Sequence, residues 1–394
     1  MQKIIARLGE TREGGRVRRQ LNFSHGEIWW DISGPDEALP PPLSRHDMAA
    51  TALIFKAMHI GHSLHIDGPV SSSLLENLEN FVASWAVWRP DLYKRVGITA
   101  TEIVRDDQPA AGATGKAVAA FSGGVDASFT LLRHARGDVG LRSKNLVAGV
   151  LIQGLDIPLD KNDAFDKAAI SAADSLRSLD VPFATVRTNW KSVACTQWEM
   201  EFGTAVATCL RNWLGKADTA LIGSDEDYSR LVLPWGGNPI TYSMLSSRDL
   251  TVVYDGGEFA RTEKVEYLNS WAAGVRNLRV CWEGPITGEN CGYCEKCVRT
   301  KMNFLAVGAR LPASLPGHLT PWRVLNVRAG NDGQVALLSE IYDIAKDRQI
   351  DAPWVTALHY SLTKNRLMNS ARRFKILKSA WKFTKSLGLR PATQ

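Results

Sequence analysis

Cysteine is scarce in this chain, with six among 394 residues, and four of the six fall between Cys281 and Cys297. That is too few for a disulfide scaffold, and the clustering points instead to a metal site in a reducing compartment. No run of about 18 apolar residues occurs, so a membrane-spanning helix is not expected. The opening segment MQKIIARLGETREGG lacks an apolar core followed by a cleavage site. No secretory leader is read there, and a soluble cytoplasmic protein is expected. No glycine-rich loop ends in Gly-Lys-Ser/Thr, which disfavours an ordinary P-loop kinase or GTPase. Internal repeats and low-complexity tracts are missing too. Acidic residues are absent from Ala352 to Gln394, a stretch that carries nine Lys or Arg. The net charge of +6 is therefore local, and the remainder is slightly acidic.

What is present suits an ordinary globular α/β protein, with 45% hydrophobic and 22% charged residues. Residues 1–113 read as an α+β domain. It has short alternating segments at Gln20–Ser24 and Glu27–Ile32, a helix around Met48–Met58, and a second helix over Ser71–Trp88 behind Pro69. The Gly, Ala and Pro content of Asp106–Gly115 marks a linker. From 114 to 310 strands and helices alternate. Strands are expected at Ala117–Phe121, Leu146–Gln153, Val181–Thr188 and Thr219–Gly223, and helices at Asp126–Arg136, Asn162–Leu179 and Thr196–Leu214. In the last helix Trp198, Phe202, Val206, Leu210 and Trp213 share a face. This spacing predicts βαβ units, a parallel sheet, and a ligand at the carboxyl ends of its strands. Residues 311–394 read as a helical basic tail.

The most informative segment is AVAAFSGGVDASFTLL, residues 117–132. A strand runs into Ser122, Gly123, Gly124, Val125 and Asp126, and a helix leaves. Paired glycines turn the backbone tightly and bring amide N–H groups close to an anion. The helix adds its positive end, while Ser122 and Ser128 offer hydroxyls. Asp126 would repel a bare phosphate and makes sense if it holds Mg²⁺ or caps the helix.

This segment resembles the SGGxDS signature of the PP-loop ATP pyrophosphatases, departing from it at Ala127, where Ser is usual. The resemblance implies an adenine-nucleotide alpha hydrolase-like core, ATP and Mg²⁺ as ligands, and release of pyrophosphate with adenylylation of a substrate.

Further on, Cys281 is followed after nine residues by Cys291, Cys294 and Cys297. Two CxxC steps plus a cysteine on a preceding strand can close a tetrahedron of thiolates around Zn²⁺, with Gly292 giving the turn. Lys296, Arg299 and Lys301 would offset the charge of the thiolates. Such a site has no open position and is structural. An iron–sulfur cluster is the competing occupant. Cys195 and Cys209 read as structural thiols.

A PP-loop core followed by C-x9-C-x2-C-x2-C is similar to 7-cyano-7-deazaguanine synthase over roughly residues 116–307. The stretch Gly223–Ser229 resembles that family's substrate-pocket segment. QGLDIPLD and SRLVLPWGGNP differ from its substrate motifs. The resemblance implies a carbon–nitrogen ligase that adenylates a deazapurine-like carboxylate for attack by ammonia or another amine. Asp225 and Asp227 are candidates for holding Mg²⁺ or the attacking group, and Lys264 for meeting the departing phosphates.

Two features stand apart. His59, His62, His65 and Asp67 suggest a metal set, but Gly61 and Gly68 imply a helix end leading into a strand, which would scatter them. Leu367, Ala371, Phe374, Leu377, Trp381 and Leu387 share a helical face ringed by Arg372, Arg373, Lys375, Lys378, Lys382 and Lys385. That face suits a protein or tRNA partner, or a helix docked on its own domain. Trp235 is placed near the substrate as a loop aromatic able to stack on a base.

Overall fold

A computed structural model describes residues 2–106, 112–281, 284–330 and 332–386, with side chains to Ala371 apart from Asp332. Three strands open the chain as an antiparallel meander: β1 (Lys3–Glu13), β2 (Arg16–Phe23) and β3 (Gly26–Ser33). Helix α1 (Asp47–Ile60), strand β4 (Ser63–Ser71), helix α2 (Ser72–Trp88) and strand β5 (Ile98–Val104) follow. Strand β4 lies parallel to β1, and β5 parallel to β4. Gly61 ends α1 in the left-handed region at φ +76°, as its position in HIGHSLHID suggests. β4 then points its residues alternately to the two faces. Asp67 pairs with Arg7 at 2.6 Å and His65 meets Thr99 at 2.9 Å.

The alternating region comprises β6 (Lys116–Ala120), α3 (Val125–Ala135), β7 (Asn145–Gln153), α4 (Asn162–Arg177), β8 (Phe183–Thr188), α5 (Trp190–Val193) and α6 (Trp198–Leu210). Strand β9 (Thr219–Gly223), α7 (Pro239–Met244), β10 (Thr251–Asp255), α8 (Arg261–Leu268), α9 (Ala272–Arg276) and α10 (Glu295–Ala306) complete it. The helix expected over Thr196–Leu214 stops at Leu210 and tightens into a 3₁₀ turn at Arg211–Trp213. Three further helices close the described chain: α11 (Pro321–Leu325), α12 (Asp332–Asp347) and α13 (Pro353–Ser386).

The ten strands of the described residues belong to one mostly parallel sheet, in the order β10-β9-β6-β7-β8-β3-β2-β1-β4-β5. The seam between its halves is antiparallel, with Trp30 opposite Thr188 and Ser33 opposite Thr185. Alternation along the strands sorts the core into two layers. Val118, Val150, Val186 and Ile222 face the layer of α1, α2 and α6, which runs under both halves and includes Ile4, Leu21 and Trp30. Ala117, Ala119, Leu151 and Leu221 face the other layer, built from α3, α4 and α8 to α10. That second layer does not extend over β1, where Lys3, Ile5 and Arg7 are exposed. A third cluster joins α10 to the C-terminal helices through Met302, Leu338, Ile341 and Leu358.

Buried polar links reinforce the seam. Trp190 Nε1 donates to the Ala52 carbonyl at 2.8 Å, and Trp213 Nε1 to that of Ala38 at 2.9 Å. Arg211 faces Asp47 at 3.6 Å with both side chains buried. Asp106, expected at the start of a linker, is instead an anchor, accepting from Ser72, Ser73 and the Arg248 amide. Residues 107–111 of that expected linker lie outside the described residues.

The chain proceeds from β6 to β7 and β8 on one side, then returns past β6 to β9 and β10 on the other. A crevice forms at such a switch point, beyond the carboxyl ends of the strands.

Candidate functional site

At that crevice lies a cleft of about 260 Å³, lined by the ends of β6, β7 and β9 and by the loop Ser122–Gly124. Gly123 has φ +74°, a conformation few other residues adopt, and Gly124 caps α3 in an extended conformation. Ser122 is exposed, and its Oγ accepts from the Gly124 amide at 3.3 Å. Val125 opens the helix and is buried, as is Ser128, so Ser128 sits beneath the loop rather than in the cleft. Gly223, ending β9, is required by close approach: a Cβ there would stand 2.6 Å from the Asp126 carbonyl carbon. This packing of strand end against helix start fixes the loop.

Charge converges on the cleft from three elements distant in sequence. Arg261 opens α8, Arg279 follows α9, and Lys296 lies at the start of α10; all three line the cleft. Arg279 is also part of the loop's support, its amide donating to the Gly123 carbonyl at 2.8 Å and its Nε to that of Ser122 at 3.2 Å. Burial lowers the pKa of both Arg279 and Lys296, and for Lys296 the neighbouring Arg261 and Arg299 add to the effect.

The candidate catalytic residues separate into different roles. Asp126 accepts from Arg261 at 2.6 Å and from Lys264 at 3.3 Å. Burial opposes its ionisation, but Arg261 and Lys264 outweigh that and hold its pKa below the usual carboxylate value. Lys264 is buried rather than solvated, and its Nζ also donates to Ser224 O at 2.6 Å and Oγ at 2.7 Å. It backs the cleft without lining it. Asp225 does line the cleft, held by Trp235 Nε1 at 2.7 Å and the Tyr254 hydroxyl at 3.2 Å. Burial raises its pKa and the nearby Asp126 adds to this. Asp227 instead turns to Arg230 at 2.9 Å and to Ser229, away from the cleft lining. Trp235 thus reaches the site through Asp225 and packs edge-on against Phe202. Phe202, Val206 and Tyr242 form the apolar wall.

Cys281, Cys291, Cys294 and Cys297 bring their sulfurs within 4.8 Å of one another, the one such ligand group among the described residues. His59, His62, His65 and Asp67 form no such group there. Measured pairs are 3.7 Å for Cys281–Cys294 and 4.0 Å for Cys291–Cys297. A tetrahedron with metal–sulfur bonds of about 2.3 Å has edges of about 3.8 Å, so these four cysteines could hold a metal ion such as zinc. Gly292 makes the turn at φ +79°, where a Cβ would strike the Pro316 carbonyl. Lys301, wholly buried, ties the knuckle by donating to the carbonyls of Gly292, Pro316 and Gly317. Arg299 pairs with Glu295 at 2.6 Å. Cys195 and Cys209 are free thiols outside this group, both with pKa pushed up to about 12 by burial.

Arg261 and Arg279 escape sequence reading, and Lys296 is read there only as a counter-charge to thiolates. Their convergence depends on the sheet order, although RTEK and RVC place them beside residues already singled out. The basic face expected beyond Ala371 has its side chains outside the described residues. Among the described residues no helix is long and apolar enough to cross a membrane. No protein-family model matches the chain, and no curated protein or solved structure matches it.

Proposed function

We propose that this chain is an adenylating carbon–nitrogen ligase of the PP-loop kind, similar to 7-cyano-7-deazaguanine synthase and carrying a structural zinc. One observation carries the reading. A glycine loop and helix N-terminus meet Arg261, Arg279 and Lys296 in one cleft at the switch point of a parallel sheet. A tight glycine turn, a helix dipole and three cations suit a polyphosphate. Zinc is favoured over iron–sulfur by the sulfur separations, since cysteines bound to separate irons of a cluster spread further apart.

In this reading the triphosphate of Mg-ATP rests on Ser122–Val125, flanked by Arg261, Arg279 and Lys296. A substrate carboxylate oxygen attacks the α-phosphorus, the bond to the bridging oxygen breaks, and pyrophosphate leaves against the cations. An amine then attacks the acyl carbon of the mixed anhydride, AMP departs, and the amine loses a proton. Such a site works by positioning and charge neutralisation. Asp126 keeps Arg261 and Lys264 in place. That leaves Asp225 as the carboxylate for Mg²⁺ or the incoming amine. Phe202, Val206 and Tyr242 offer a planar base an apolar seat.

The direct test mixes the protein with Mg-ATP and 7-carboxy-7-deazaguanine, with and without ammonia, and reads products by mass spectrometry. AMP, pyrophosphate and an aminated purine are expected. A persistent adenylylated purine would point to a different amine. Intact ATP and purine would sink the deazapurine assignment.

A second expectation concerns Ala127, which lines the cleft in the first turn of α3. Ala127→Ser supplies a hydroxyl where the phosphates rest. One hydrogen bond to a charged group contributes about 1.5 kcal/mol, so roughly tenfold tighter ATP binding is expected by calorimetry. Weaker binding would mean that Ala127 fits a ligand of another shape.

A further inference from the structure

The cysteine knuckle and the anion cleft share their framework. Cys281 lies two residues beyond Arg279, which braces the loop through Ser122 and Gly123. Cys294 and Cys297 flank Lys296 at the start of α10, and Arg279, Cys281 and Lys296 all line the cleft. Asn290 locks the segment between them. Its Oδ1 accepts from the amides of Val280 at 2.8 Å and Cys281 at 3.0 Å, while its Nδ2 donates to the carbonyls of Leu278 at 2.7 Å and Ser314 at 2.6 Å. The sulfur of Cys281 therefore cannot move far without carrying Arg279, and the cysteines at the start of α10 cannot spread without carrying Lys296.

We infer that metal occupancy of the four cysteines and polyphosphate binding on the Ser122–Gly124 loop are thermodynamically linked, with Arg279 and Lys296 as the positioning residues that carry the link. The inference rests on the cleft being a nucleotide site. Cys281, expected on a strand, instead lies in the irregular segment between α9 and α10. A cation bonded to all four sulfurs ties that segment to α10, and without it the protonated thiols leave the two free to separate. The two cations then part as well. Conversely, an anion held between Arg279 and Lys296 draws both elements into the arrangement that closes the tetrahedron. Linkage is reciprocal: whatever factor the metal adds to anion affinity, the anion adds to metal affinity.

The test uses the full zinc-loaded chain with Mg²⁺ in excess, the uncleavable analogue α,β-methylene-ATP, and a chromophoric chelator competing for zinc. Saturating analogue is expected to tighten zinc binding by at least about fivefold, the lower end of usual coupling factors. Lys296→Met and Arg279→Met should each bind zinc and lose that difference, whereas Lys296→Arg should restore most of it. Circular dichroism confirms that each variant is folded. Unchanged zinc affinity in wild-type protein that binds the analogue would overturn the linkage alone. Failure of zinc-loaded wild type to bind the analogue would overturn the nucleotide reading and the linkage together. Coupling that persists in both Met variants would overturn the roles given to Arg279 and Lys296.

Discussion

Replacing Cys294 by Ser is expected to abolish binding of one zinc ion per chain and to lower the melting temperature by roughly 5–10 °C. Structural zinc in isolated fingers contributes about 10–16 kcal/mol. In a chain whose sheet and largest core lie outside the knuckle, only part of that reaches global stability. A loss of several kcal/mol gives shifts of about this size in large domains. Cys294 is the sensitive position because it is buried, caps α10 and lies 3.7 Å from Cys281. The Cys297 thiol donates to its sulfur and lowers its pKa, which favours the thiolate a cation binds. Metal analysis with thermal melts decides the matter. A brown protein containing iron and sulfide would overturn zinc, and an unchanged melting temperature after complete zinc removal would overturn its structural role.

The second large effect is expected at Asp126, where Asn should cost roughly 3 kcal/mol in urea unfolding. Removing one member of a buried ion pair typically costs about 3–5 kcal/mol, because its partner is left uncompensated. The lower figure applies because Lys264 keeps both bonds to Ser224. The same residue contributes to acid sensitivity. Burial works against ionisation of Asp126, but Arg261 and Lys264 prevail and hold its folded pKa below the ordinary value. A carboxylate shifted down stabilises the fold fully above its unfolded pKa, near 3.9, and that contribution vanishes as pH falls through the folded value. Wild-type stability should therefore decline below about pH 4 more steeply than that of Asp126→Asn. Equal slopes would show that the pair with Arg261 and Lys264 does not form in solution.

Local chemistry was legible in the sequence, and long-range convergence was not. The loop Ser122–Gly124 and the four cysteines are written in contiguous spacing, and the structure places them as a tight turn and a close cluster of sulfurs. Strand β9 lies where the alternation of strands and helices put it, Thr219–Gly223. Strand β10, TVVYD, was not read, because its apolar run is only Val252–Tyr254 between polar residues. Lys264 reads from the sequence as a cation for the departing phosphates, whereas the packing of α8 against α3 buries it beside Asp126 and Ser224. Asp225 and Asp227 look equivalent in GSDEDYS. What separates them is Trp235 and Tyr254 on one side and Arg230 on the other, two of them far away in sequence.

The antiparallel seam between β3 and β8 has a practical corollary. A shortened chain starting at Thr114 would keep the glycine loop and the cysteines. It would also bare the hydrogen-bonding edge of β8 and uncover the side of α6 that packs on α1. An open strand edge beside exposed apolar surface is a template for aggregation. Modularity ends at that edge. The half that carries the cleft is expected to aggregate when expressed by itself, because residues 1–113 are the neighbour that keeps its sheet from finding another.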